Sequence, residues 1–111
     1  MSKNLIAASA KPMILSLLGR RESYGYQILQ DVTALSGGTI DWSEALLYPV
    51  LHRLEKEGLV RSRWKMSDEK RMRKYYALTP FGRRELEAER ERWLRIHGAF
   101  LKLWAPAGET E

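Results

Sequence analysis

From Thr79 to Trp104 the chain reads as one helix carrying more apolar surface than a domain of this size can cover. Thr79-Pro80 starts it, a cap residue followed by proline at the first helical position, and Ala105-Pro106 stops it. Leu86, Trp93 and Phe100 recur seven apart, and Ile96 and Leu103 lie on the adjacent strip. Leu94, Leu101 and Trp104 widen that surface toward the end of the helix. Packing back on the chain's own first helix explains a narrow stripe but not three apolar sides. The pattern predicts a two-fold dimer with Leu86, Trp93, Ile96, Phe100, Leu103 and Trp104 at its interface.

The chain has 111 residues, so a single small hydrophobic core is expected. We divide it into an N-terminal region, 1–78, and a dimerisation helix with a short tail, 79–111. There are no cysteines, which excludes disulfides, thiolate catalysis and Cys-type zinc sites. The longest apolar run, Met13 to Leu18, is far below the ~20 residues that cross a bilayer. No cleavable leader is read at the N-terminus, and a cytoplasmic protein without membrane partners is expected.

Charge is the second constraint. The net charge is +5. Between Arg61 and Lys74 stand seven basic residues and two acidic ones, Asp68 and Glu69, so this segment alone carries +5. The rest of the chain cancels. A cationic segment of this kind is either a solvated run or the contact for a polyanion.

Residues 1–9 carry little pattern, and the first helix is expected to begin late, with Pro12 in its first turn and Gly19 at its end. Its apolar positions are Met13, Ile14, Leu17 and Leu18. Ser23 has the look of an N-cap for a second helix, with Tyr24, Ile28, Leu29, Val32 and Leu35 on one face and Gly37-Gly38 closing it. Thr39 to Trp42 reads as a short strand. A third helix follows the N-cap candidate Ser43, with Leu46, Leu47, Val50, Leu51 and Leu54 inward and Gly58 at its end. Pro49 either kinks that helix or delays its regular part to near Tyr48. Leu59 to Trp64 and Lys74 to Leu78 read as two short strands, Val60/Ser62/Trp64 and Tyr76/Leu78 supplying the alternation, with a polar, charged connection between them. The fold class is mainly α with a small β-hairpin: a winged helix-turn-helix plus a long C-terminal dimerisation helix.

Several stretches also resemble a known family. Ser23 to Tyr26 (Ser-Tyr-Gly-Tyr), Leu35 to Gly38 (Leu-Ser-Gly-Gly), Leu47 to Leu59 (Leu-Tyr-Pro-Val-Leu-His-Arg-Leu-Glu-Lys-Glu-Gly-Leu) and Arg73 to Arg84 are similar, in order and spacing, to the PadR transcription regulators. The single long C-terminal helix resembles the smaller PadR subclass. One departure is Ala45, where relatives carry glycine ahead of Leu-Tyr-Pro, and it bears on how the third helix begins. The resemblance implies a dimeric, sequence-specific DNA-binding regulator, a repressor on a pseudo-palindromic operator. It also carries Tyr24 at the start of helix two over as a phosphate contact, the alternative being a core residue. Some smaller relatives bind flat hydrophobic molecules between interface tryptophans. That makes Trp93 a candidate ligand residue and a planar hydrophobic effector a candidate partner; simple packing is the alternative.

In a helix-turn-helix the second helix of the pair enters the major groove. Here that is helix three, whose non-core residues are Ser43, Glu44, Ala45, Tyr48, His52 and Arg53. Glu44 can accept from cytosine N4, while Tyr48 and His52, four apart on one face, can donate to phosphate or base. Ser43 has capping, and Tyr48 packing, as its alternative role. The hairpin supplies Lys65, Lys70, Arg71, Arg73 and Lys74 for phosphates. Two rival functions are a small-molecule sensor and a winged-helix protein-interaction module. An enzyme is not expected, because paired titratable groups, a phosphate-cradling loop and metal-ligand spacing are missing from the sequence. We expect no cofactor and no metal.

Overall fold

The computed structural model describes residues 3–107, in the order α1 (Lys3–Arg20), β1 (Ser23–Tyr24), α2 (Gly25–Leu35), α3 (Glu44–Lys56), β2 (Val60–Met66), β3 (Met72–Leu78) and α4 (Pro80–Trp104). The strands form one antiparallel sheet in the order β1-β3-β2. Ser23 pairs with Tyr76, while Val60 to Met66 runs opposite Leu78 to Met72 without a slip.

The core gathers Ala10, Ile14, Leu15 and Leu18 of α1 with Ile28 and Val32 of α2 and Leu47, Leu51 and Leu54 of α3. Leu59, Val60, Tyr76 and Leu78 close it from the sheet side. Met13, Leu17, Leu46 and Val50 flank this core and are only partly buried. Leu15, absent from the expected face of α1, is fully buried.

Several expectations are corrected. The first helix is already formed at Lys3, before the expected late start; residues 1 and 2 lie outside the described residues. Pro12 is therefore interior, where it cannot donate to the carbonyl of Ala8. Burial of Ala10 and Ile14 on either side holds the helix through that missing bond. Gly19 does not end α1, which continues to Arg20. A Cβ at residue 19 would stand 2.6 Å from Leu86 Cδ2, so this glycine lets α1 and α4 approach closely.

Ser23 is a sheet residue, not a cap, because pairing with Tyr76 captures its backbone. The residue before α2 is Tyr24, which makes no side-chain cap bond. Thr39 to Trp42 forms no strand; Ile40 and Trp42 instead drop into the core from a loop. Leu35, expected on the inner face of α2, is exposed at the helix end. Trp64 keeps the expected alternation yet is 65% exposed, because β2 has run past the body of the domain by that point.

Chain punctuation accounts for the α3 and α4 boundaries. Ser43 Oγ accepts from Leu46 N at 3.2 Å, and α3 then runs unbroken through Pro49, which removes the delayed start near Tyr48. Ala45 is exposed in the first turn and leaves this start undisturbed. At the other end Gly58 takes φ +79°, with its N–H donating to Glu55 O and that of Leu59 to Leu54 O. Thr79 Oγ1 accepts from Gly82 N at 2.9 Å to open α4, and its hydroxyl donates to Gly58 O at 2.6 Å. Gly82 lies against the Leu59 carbonyl, where any Cβ would collide with backbone.

Candidate nucleic-acid interface

The 3.6-residue period gives α3 two faces. Leu47, Leu51 and Leu54 are fully buried, which turns Ser43, Glu44, Tyr48, His52 and Arg53 outward. Ser43 is occupied as the cap. Tyr48 projects across the start of α2, and a side chain at Gly25 would strike its ring and hydroxyl. Gly25 thus sets how closely α2 and α3 meet. Arg53 and Lys56 bring positive charge to the last turn of α3, and neither forms an ion pair among the described residues.

The hairpin is docked against α3 by Ser62, whose hydroxyl donates to Glu55 Oε2 at 2.7 Å. Burial raises the Tyr76 hydroxyl above its ordinary value of 10.0, with the Glu55 carboxylate adding to the effect. On the opposite face, Glu22 receives Arg63 at 3.0 Å and also pairs with Lys65. Lys65, then Arg63, hold the Glu22 carboxyl below its ordinary 4.5. The Lys65 ammonium also lies 4.3 Å from the centre of the Tyr75 ring. Arg73 stacks at the same distance, 4.3 Å, over Tyr24, and Tyr24 meets Tyr75 edge-on at 5.3 Å. Lys65, Arg73 and Tyr24 are thereby engaged within the chain, on the side of the hairpin away from α3.

The cations left outward are nearer the tip. Lys70 and Arg71 are exposed without an ion pair among the described residues, and Lys74 sits 5.7 Å from the Tyr76 ring centre. Ser67 and Arg71 bracket a three-residue loop, Ser67 N donating to Arg71 O at 2.8 Å and Lys70 N to Ser67 O at 2.9 Å. Lys70 occupies the left-handed region, φ 63°. Glu69 in this loop is held below the ordinary carboxylate value, first by its own backbone N–H and then by the Ser67 hydroxyl.

This outward helix face beside a basic hairpin is a winged helix, and the sequence comparison agrees. The model of the "Transcriptional regulator PadR-like family" matches residues 14–88. The chain belongs to the PadR-like family. A PadR-like transcriptional regulator of Bacillus cereus superposes with TM-score 0.84 at 26% identity, over 94% of this chain and 99% of that one. A transcriptional regulator of Clostridium thermocellum does so with TM-score 0.81 at 28% identity, over 95% and 99%. The transcriptional regulator YqjI of Escherichia coli is 33% identical over 71% of this chain. The matched part is 36% of YqjI, so this chain spans about a third of that relative. PadR-family proteins are DNA-binding transcription regulators rather than enzymes, and they commonly dimerise. No helix among the described residues is long and apolar enough to cross a membrane.

The helix expected to dimerise has two parts. Its first half packs on α1: Leu86 meets Gly19, and Lys11 pairs with Glu85 and Glu89, each at 3.7 Å. Leu86 is thus half-buried within its own chain. Trp93, Ile96, Phe100, Leu103 and Trp104 are exposed, with Phe100 and Trp104 stacked 5.0 Å apart. Trp93 donates to Glu89 at 3.2 Å and lines a groove of about 500 Å³ with Met13, Leu17, Val32, Leu35 and Leu94.

Two features escaped the sequence reading. Glu22 lies 41 and 43 residues from its cationic partners, so no local pattern marks it. Trp64, Met66 and Met72 form an exposed apolar strip on the hairpin; its signal was available in the strand alternation, extended past Trp64.

Proposed function

We propose that this PadR-family protein is a dimeric repressor of a pseudo-palindromic operator, each α3 entering a major groove and each wing holding backbone. The carrying observation is the outward set Glu44, Tyr48, His52 and Arg53 beside a hairpin whose tip cations, Lys70 and Arg71, form no ion pair among the described residues. Lys70, Arg71, Lys74 and Arg53 hold phosphates in this reading. Glu44 and His52 meet base edges, with Tyr48 at phosphate or base and Ser43 setting the helix start. Lys65, Arg73 and Tyr24 stiffen the wing and add charge behind it. Repression follows from occupation of the promoter, which a bound dimer performs without further contacts.

Selection of bound sequences from a random duplex pool tests this. An inverted repeat with half-sites about one helical turn apart, or a small multiple, is expected. Lys70→Ala with Arg71→Ala should weaken all duplexes alike and shallow the slope of log K against log salt by up to roughly 2. An asymmetric single half-site, or no enrichment, would overturn the reading.

The apolar groove lined by Trp93 favours a second, compatible reading in which a planar hydrophobic effector binds beside α4. Quenching of tryptophan fluorescence by planar aromatics, lost in Trp93→Leu, would support it.

A further inference from the structure

Alternate residues of a strand point to opposite faces, so the wing has two. One face carries Arg61, Arg63 and Lys65 opposite Ala77, Tyr75 and Arg73, and Glu22 and Tyr24 pack against it. The other begins with Val60 opposite Leu78 and Ser62 opposite Tyr76, the rungs that abut α3 through Glu55. Its next two rungs outward are Trp64 opposite Lys74 and Met66 opposite Met72. These should be the most polar positions of the hairpin, yet Trp64 is 65% exposed and Met66 and Met72 are 57% exposed each. Three large apolar side chains therefore stand in water at the end of a basic ribbon, on the side facing the recognition helix.

We propose that Met66 and Met72 form an apolar wedge that enters the DNA minor groove flanking the half-site, with Trp64 against the groove's sugar wall. The proposal rests on the DNA-binding reading above and assigns sequence or shape selectivity to residues outside α3. Its occupant follows from charge. Lys74 lies on this face opposite Trp64, and Lys70 and Arg71 stand in the turn just beyond Met66–Met72, a charge that draws a polyanion and repels a second wing carrying the same cations. Its shape also suits the groove. A minor groove of about 6 Å admits side chains but not a whole ribbon, and Met66–Met72 is the last rung before the turn. Methionine is unbranched and adaptable, and apolar side chains of this kind press between base steps in known minor-groove binders. Because this same face is tied to α3 at Ser62–Glu55, an α3 seated in the major groove carries the patch toward the adjoining minor groove.

The test uses the full chain and the duplex enriched by selection, with 2-aminopurine placed at steps flanking each half-site. Met66→Gln with Met72→Gln preserves side-chain length and alters only exposed positions, and thermal melting verifies the fold. Affinity should fall roughly tenfold, since two apolar side chains lose their burial. The salt slope should stay unchanged, because no phosphate contact is removed. The 2-aminopurine brightening on binding should be lost, and Met66→Leu with Met72→Leu should restore both readouts. Parent-like affinity and fluorescence in the glutamine variant would overturn the wedge while leaving DNA binding intact. A fall in affinity with a shallower salt slope would also overturn it, by making the effect electrostatic. Unchanged DNA affinity with loss of self-association in sedimentation would make the patch a contact between copies. A parent chain that binds no duplex would remove the functional reading itself and the wedge with it.

Discussion

Glu22 shows how one residue decides what a charged hairpin can reach. Its carboxylate gathers Arg63 and Lys65, so two of the seven cations of the basic segment are spent on holding the wing's root. The pair is partly exposed, with the Glu22 side chain 27% accessible, so it contributes only about 0.5–1 kcal/mol. Because the folded carboxyl is held below 4.5, its contribution is present above that pH and is lost as pH falls through the lower, folded value. Glu22→Gln should therefore be less stable than the parent near neutrality, and the difference should close below pH 4.5. Parallel thermal melts from pH 7 to pH 3 check this. A difference that stays constant to pH 3 would assign the effect to something other than the ion pairs.

At the scale of the element, the hairpin turn is unusual in placing a lysine where backbone geometry favours glycine. Lys70 has φ 63°, a region costing an L-residue roughly 1–2 kcal/mol. The turn is otherwise well held, by Ser67 N–H to Arg71 O and by Ser67 Oγ, which accepts from Arg71 N at 3.3 Å. Lys70→Gly should keep this geometry and raise stability by about 0.5–1 kcal/mol in urea unfolding, the gain being reduced by glycine's freedom in the unfolded chain. It should also weaken DNA binding, by removing the Lys70 ammonium from the wing tip. Stability and binding then move in opposite directions, which is the signature of strain kept at a functional position. A variant that loses both would mean that the lysine side chain supports the fold.

The whole molecule is elongated, 59 × 29 × 24 Å, because α4 carries 25 residues and only its first half has α1 to lie on. Its accessible surface of 7875 Å² compares with about 6,300 Å² for a folded monomer of this mass. The excess, roughly 1,600 Å², is about twice the ~800 Å² that each partner buries in a standard-size interface. Leu103 and Trp104, 76% and 70% exposed, lie in the unsupported half with Ile96 and Phe100. Deleting residues from Arg92 onward should leave monomers or insoluble protein, while every residue of the buried core lies before the cut, between Ala10 and Leu78. Sedimentation of the truncated chain decides it. A truncated protein that remained dimeric would move the interface to α1 or the wing.

Much of this was written locally. Thr79-Pro80, Ser43 and Gly58 announce their helix boundaries because a cap is satisfied by neighbours within a few residues. The leucines of α3 and the outward placement of Glu44, Tyr48, His52 and Arg53 follow from a 3.6-residue period, so the two faces of this helix were legible in the sequence. The net charge located the wing for the same reason: a short segment held it all. What the sequence could not supply were pairings between distant residues. Ser23 carries a cap's chemistry but becomes a strand, because Tyr76, 53 positions later, offers its backbone. Pro12 and Gly19 look like helix ends and lie inside α1, since burial and the approach of Leu86 outweigh local preference. Lys65 and Arg73 read as free cations until Glu22 and Tyr24 are folded against them. Short-range rules determine where elements start and which way side chains turn. Only the tertiary structure decides which charges remain free for DNA, because a long-range partner leaves no period, spacing or composition to read.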